Sequence, residues 1–268
     1  MVFVIAQLSD LHIGGHYPGS GDRFSEAVAE INAMSRQPDL VLMTGDLTEV
    51  GSETQWTEFQ ARANELSAPW RAIAGNHDRK IAELRGHRSM AVGPMRLILL
   101  DTSDDVFTEA DGEWLQSDLA ESTDHPTVIA MHHPPFETGI WWMDCVGLSG
   151  KDRFETIVRE HPQVVQILAG HVHRPIHTAW GNCSLWVCPS TSLSVAVDFH
   201  QEHGPAVTAE GPAFSLHAYL ESSHQPLQVM SHVVPVGTLA RRSMIEDGSP
   251  EFVSWARTQQ AHRTSQFS

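Results

Sequence analysis

Five apolar runs in this chain each end in a short turn carrying Asp, His or Asn. Val2–Leu8 precedes Asp10-Leu11-His12, Leu40–Thr44 precedes Gly45-Asp46, and Trp70–Ala74 precedes Gly75-Asn76-His77-Asp78. Thr127–Met131 precedes His132-His133, and Val164–Leu168 precedes Gly170-His171-Val172-His173. Singly these are ordinary, since Gly-Asp is a common turn. Together they constrain the fold. Strands that end alike deliver their terminal side chains to one edge of a sheet, and carboxylate, amide and imidazole donors suit a pair of metal ions. Two adjacent ions form a device for cleaving phosphoesters.

Phe24, Ala27, Val28, Ile31 and Met34 recur at helical spacing and predict a helix over Asp22–Arg36. Ser52 and Gln55 predict a capping box ahead of a helical face made by Trp56, Phe59, Ala63 and Leu66. Further helices are expected near Asp111–Glu121 and Asp152–Glu160, and a further strand over Arg96–Leu100. Strands alternating with helices predict an α/β fold whose first half is mostly parallel. After Arg174 the pattern changes. Ile176–Trp180, Cys183–Val187, Ala213–Leu220 and Leu227–Val234 have no helices between them, which predicts a second, more antiparallel sheet packed on the first. Ser249-Pro250-Glu251 would open a short helix in a C-terminal tail over 240–268. The 268 residues, 41% of them hydrophobic, fit a single domain over 1–268.

Charge narrows the partners. The formal net charge is −16, from 33 acidic and 17 basic residues. Two bound ions would offset about four of these charges. The remainder argues against a nucleic-acid polymer, whose binding needs a basic face. Lys80 and Lys151 are the only lysines, so there is no polybasic patch for a membrane surface. No apolar stretch reaches a membrane span, and residues 1–6 lead into a strand rather than a signal peptide. Cys145, Cys183 and Cys188 are odd in number and irregularly spaced, as in a reduced, cytoplasmic protein; they read as small apolar residues rather than metal ligands.

In their order, Asp10-x-His12, Gly45-Asp46, Gly75-Asn76-His77-Asp78, His132-His133-Pro134-Pro135 and Gly170-His171-x-His173 resemble the motifs of the calcineurin-like metallophosphoesterases. Within that family the chain looks most like the class III cyclic nucleotide and glycerophosphodiester phosphodiesterases. The resemblance runs from Phe3 to Pro175. It implies a two-sheet αββα sandwich and a dinuclear centre of Fe, Mn, Zn or Co. Asp10, His12, Asp46 and His173 would hold one ion; Asp46, Asn76, His132 and His171 would hold the other. Asp46 would bridge with one oxygen to each ion, and the neutral amide of Asn76 would keep its ion electrophilic.

His77 would serve catalysis, either by giving a proton to the leaving oxygen or by hydrogen-bonding the phosphate alone, with Asp78 orienting its ring. His133 would be a supporting or purely structural neighbour of His132. Glu49 matches no ligand position and reads as a solvated loop charge. His16, after Gly14-Gly15, is the remaining histidine placed to line the pocket. Trp141, Trp142 and Met143 would form an aromatic wall for substrate, a subunit contact in a homo-oligomer, or packing beneath a loop. The implied reaction is hydrolysis of a small phosphodiester, with cyclic nucleotides ahead of glycerophosphodiesters. Phosphomonoester or nucleotide pyrophosphate hydrolysis is the alternative. An inactive metal-bound scaffold is disfavoured because no ligand position is missing.

Overall fold

The computed structural model describes residues 2–15, 17–208, 210–221, 227–238 and 250–265, with side chains to 259 in the last segment. His16 lies outside the described residues, as does the whole of 240–249, Ser249 included, in the expected tail.

β1 (Val2–Leu8), β2 (Leu40–Thr44) and β3 (Trp70–Ile73) run parallel and are joined by α1 (Ser20–Asn32) and α2 (Glu53–Ala63). β4 (Arg88–Val92) and β5 (Met95–Leu99) form a hairpin across the turn residues Gly93 and Pro94. β5 then begins a second parallel set with β6 (Thr127–Ala130) and β7 (Val164–Ala169). α3 (Glu109–Ala120), the single turn α4 (Trp141–Asp144) and α5 (Lys151–Glu160) lie in the connections. β8 (Ile176–Trp180), β9 (Cys183–Val187), the two-residue pair β10 (Ser194–Val195) and β11 (Val207–Thr208), β12 (Ala213–Leu220), β13 (Gln228–Pro235) and α6 (Pro250–Ser265) follow.

Strand alternation explains why the sheets stack. In the first sheet Ile5, Leu40 and Leu42 face inward against Leu97, Leu99, Val128, Ala130 and Leu168 of the second. Their neighbours Ala6, Leu8, Val41 and Met43 face outward onto Phe24 and Ala27 of α1 and Phe59 and Ala63 of α2. On the far side Ile98, Ile129 and Ile167 pack against Leu115 and Leu119 of α3 and Phe154 and Ile157 of α5. These three apolar layers make the αββα sandwich.

The late strands do pair antiparallel, but they do not build a sheet of their own. The first sheet has the order β13-β12-β1-β2-β3 and the second β4-β5-β6-β7-β9-β8. β12 is antiparallel to β1, while β9 is parallel to β7 and β8 turns back on it. The reason is geometric: each parallel set exposes an edge, and the late strands cover one edge of each. β4 escapes the sequence pattern because Arg88–Val92 is a half-exposed edge strand with no apolar run. The Ser52 cap is present, its hydroxyl accepting from Gln55 N at 3.3 Å. Among the described residues no helix is long and apolar enough to cross a membrane.

Candidate metal centre

The C-terminal ends of β1, β2, β3, β6 and β7 open on one edge of the sandwich. There the chain turns sharply, and not at its glycines alone. The non-glycine residues at positive φ among the described residues are Asp10, His12, Asp46, Asp105, His171 and His173. All but Asp105 are expected ligands. Left-handed backbone costs roughly 1 kcal/mol or more per residue, although Asp and His tolerate it better than most. Five such residues in one place mark a site whose geometry is held by its surroundings. The surroundings are equally tight: a Cβ on Gly75 would run into the Asp46 carboxylate.

The first set of donors comprises Asp10, His12 and His173, whose ligand atoms lie within 4.8 Å of one another. His12 Nε2 is 3.2 Å from His173 Nε2, which is 3.5 Å from Asp10 Oδ1. The ring orientations are fixed from behind. His12 Nδ1 donates to Glu49 Oε2 at 2.9 Å and His173 Nδ1 to the Leu193 carbonyl at 3.0 Å. Both rings therefore turn Nε2 inward. Asp10 is held by its own oxygens, which accept from His171 N at 3.0 and 3.1 Å.

His132 Nδ1 donates to the Thr44 carbonyl at 2.7 Å, leaving Nε2 to face Asp46 Oδ2 at 3.3 Å. His171 joins from the side, its ring centroid 5.2 Å from that of His132. His132 Nε2, His171 Nε2 and Asn76 Oδ1 are all buried without a hydrogen-bond partner in the protein. Buried polar atoms without partners are costly, and these three are the donors a second ion would use. The donor chemistry therefore fits a two-metal centre.

The two oxygens of Asp46 face different groups. Oδ1 accepts the backbone N–H of His77 at 2.9 Å. Oδ2 alone faces both sets, 3.3 Å from His132 Nε2 and 3.7 Å from His12 Nε2. With two ions bound, Oδ2 is the oxygen placed to be shared between them. Burial disfavours charge on Asp46, but His132 outweighs it and holds the carboxyl well below the usual range. Burial lowers the pKa of His171 and of His173, which keeps both imidazoles in the neutral form that binds metal.

The supporting residues differ from expectation in two places, Asp78 and Glu49. Asp78 does not orient His77. It accepts from Gly75 N, Leu47 N, Thr48 N and Thr48 Oγ1 at 2.7–3.0 Å, tying the β2 and β3 loops together. His77 Nδ1 instead donates to the Glu49 carbonyl at 2.6 Å. Glu49 is no solvated charge, since it contacts His12 and lines the cavity. His133 clusters with His132 and His171, but its nitrogens face other groups: Nδ1 is 3.2 Å from Thr102 Oγ1, and Nε2 is 3.0 Å from Asp105 Oδ1, off the axis of a good hydrogen bond. Asp105 also pairs with Arg79. Sequence reasoning missed Asp105 and the Ser190–Leu193 loop, whose Ser190 Oγ donates to the Asp10 carbonyl at 2.8 Å. Only the dense Pro189-Ser190-Thr191-Ser192 turn chemistry hinted at that loop.

Of the donors, His12, Asp46, Asn76, His171 and His173 form the floor of a cavity of about 540 Å³. Trp142, Met143, Val146, Leu193, Val195 and Val207 give it an apolar side. Trp141 does not line it and donates Nε1 to the His203 carbonyl at 3.0 Å. Adjacent residues on a helical turn point about 100° apart, so one face cannot carry both indoles.

Residues 3–175 match the family profile of the calcineurin-like phosphoesterases. The chain belongs to that family. Among curated relatives of this calcineurin-like phosphoesterase is the probable glycerophosphodiester phosphodiesterase GpdQ of Arcobacter nitrofigilis. The two are 28% identical over 243 residues, covering 81% of this chain and 89% of the relative. A probable cyclic nucleotide phosphodiesterase of Synechococcus sp. is 32% identical over 225 residues, covering 77% and 86%. The solved structure of a dimetal phosphatase from Danio rerio shares the fold, with a TM-score of 0.60 at 13% identity over 88% of this chain and 99% of that one. The calcineurin-like phosphoesterase is accordingly a hydrolase of phosphate esters.

Proposed function

We propose that this phosphoesterase hydrolyses small phosphodiesters, with cyclic nucleotides as the favoured class. The observation that carries the reading is the pairing of two donor sets around Asp46 Oδ2 with one apolar side in the same cavity. Asp10, His12, Asp46 and His173 are assigned to one ion, and Asp46, Asn76, His132 and His171 to the other. Fe, Mn, Zn and Co all suit such N and O donors. Bound there, two ions supply an activated water and stabilise charge on phosphorus. A small diester needs that floor and one apolar surface, and the −16 net charge disfavours a long nucleic acid. The relatives named as acting on cyclic nucleotides and on glycerophosphodiesters support the diester class.

The decisive assay compares bis-p-nitrophenyl phosphate with p-nitrophenyl phosphate after Mn loading, followed by cyclic AMP and glycerophosphocholine. Diester cleavage well above monoester cleavage, with cyclic AMP the better natural substrate, is the expected result. Preference for the monoester would overturn the reading. Preference for glycerophosphocholine would move the substrate class within it.

His77 is assigned to the leaving group. Its Nδ1 proton is committed to the Glu49 carbonyl, so Nε2 is the atom available to the substrate. A second proton held there would pass to the departing alkoxide. His77→Ala should retain both ions and lose roughly 10²–10⁴ in turnover on alkyl diesters. The loss should shrink for aryl diesters, whose leaving groups need no proton. Equal losses on both would leave His77 only the role of positioning phosphate.

Trp142 is assigned to the organic part of the substrate. Stacking of a base on an aromatic contributes on the order of 1–3 kcal/mol. Trp142→Ala should therefore raise KM for cyclic AMP about 5–150-fold, whereas Trp141→Ala, outside the cavity, should change it little. Steady-state kinetics on both variants decides, and equal effects would remove stacking as the cause.

A further inference from the structure

Glu49 makes two contacts that none of the family motifs accounts for. Its carboxylate Oε2 accepts from His12 Nδ1 at 2.9 Å, and its own carbonyl accepts from His77 Nδ1 at 2.6 Å. One residue thus sits behind a donor of the first ion and behind the histidine assigned to the leaving group. The Glu49 side chain is 23% exposed. Gly15 lies against it, since a Cβ there would stand 2.7 Å from Oε2. Gly15 thus leaves room both for the Glu49 carboxylate and for the His12 carbonyl, which its Cβ would meet at 2.9 Å.

His12 is also treated differently from the other fixed imidazoles. His132 and His173 donate Nδ1–H to backbone carbonyls, those of Thr44 and Leu193. His12 donates to a carboxylate. A carboxylate holds the ring in one tautomer, as a carbonyl does, and also makes its other nitrogen a stronger donor to metal.

We propose that Glu49 is a positioning residue for the first metal position, acting through His12, while its main chain fixes the ring of His77. The proposal rests on the two-metal reading above and deepens it. The side-chain and main-chain roles are separable, since substitution removes the carboxylate and keeps the carbonyl.

The test uses the full chain, stripped of metal and titrated with Mn(II). Crystals grown at limiting Mn(II) then report occupancy at each position by anomalous scattering. Glu49→Ala should weaken uptake at the His12–His173 position about 10–100-fold, the usual effect of losing such a supporting carboxylate. The His132–His171 position should fill as in the parent. Glu49→Gln keeps an oxygen that accepts from Nδ1 but loses the charge, so its affinity should fall between the two. It also guards against a poorly folded alanine variant, and the unfolding temperature of each metal-free protein checks the fold directly. Parent-like affinity at the first position in both variants overturns the proposal. So does equal weakening at both positions, which would mean a general structural role. The titration involves no substrate. A protein that binds two ions and cleaves no diester refutes the proposed reaction and leaves Glu49 standing, whereas a parent protein with no uptake at the first position refutes both.

Discussion

Asp46→Asn should empty both metal positions at once and lower turnover by at least roughly 10³, since two ions supply several kcal/mol of transition-state stabilisation. Oδ2 is the one carboxylate oxygen close to both His12 Nε2 and His132 Nε2, at 3.7 and 3.3 Å. Oδ1 is already committed to His77 N. Asparagine preserves the size and one carbonyl oxygen, but a neutral amide oxygen is a poor bridge between two cations. If it keeps its oxygen toward His77 N, the amide NH₂ faces the ions and repels them. Every other assigned donor belongs to one position, so only this substitution should deplete both. Elemental analysis after loading tests it: close to two ions per chain would show that Asp46 does not bridge, and loss of one ion would make it a ligand of a single position.

The donors could be read from the sequence because they obey a repeated rule: an apolar strand, then a turn, then Asp, His or Asn. The rule works since strand ends are local, and local order carries five short segments, three from one sheet and two from the other, to one edge of the sandwich without knowledge of their pairing. What supports the donors is distant in sequence and follows no rule. Glu49 lies 37 residues from His12 and meets it only because β1 and β2 are neighbours. Leu193 reaches His173 through a carbonyl, which no side-chain pattern records. Asp105 stands at a φ of 61°, a conformation that residue type alone does not announce.

The same division holds for the fold. β1, β2, β5, β6 and β7 have sides buried on both faces, so they read as apolar runs. β4 has partly exposed sides, and β10 and β11 are two residues long, so neither type stands out. How the late strands divide between the two sheets depends on which edges the earlier strands leave open. That is a property of the assembled sandwich, and sequence periodicity does not contain it.

The adjacent pair His132 and His133 gives the sharpest test of the donor assignment, because the two rings lie 4.8 Å apart and both stand near His171. Proximity alone would admit either one. Orientation separates them. His132 is anchored at Nδ1 by the Thr44 carbonyl and turns a partnerless Nε2 toward Asp46. His133 Nε2 is also buried without a hydrogen bond, but it stands 3.0 Å from Asp105 rather than facing Asp46, and Thr102 is at its other nitrogen. His132→Ala should therefore lose the second ion and at least roughly 10³ in turnover. His133→Ala should keep two ions and lose about 10–100-fold, as for residues that support a ligand from behind. A pH series adds an independent readout. In the metal-free protein burial opposes charge on His132, but Asp46 overrides it and raises the pKa to about 9. Below that pH an incoming ion must displace the proton, so affinity at the second position should fall as pH falls, by up to about tenfold per unit. His133→Ala should retain that dependence. Should His133→Ala lose the ion while His132→Ala keeps it, the ring facing Asp105 would be the ligand, and the second position would have to be rebuilt around His133 and His171.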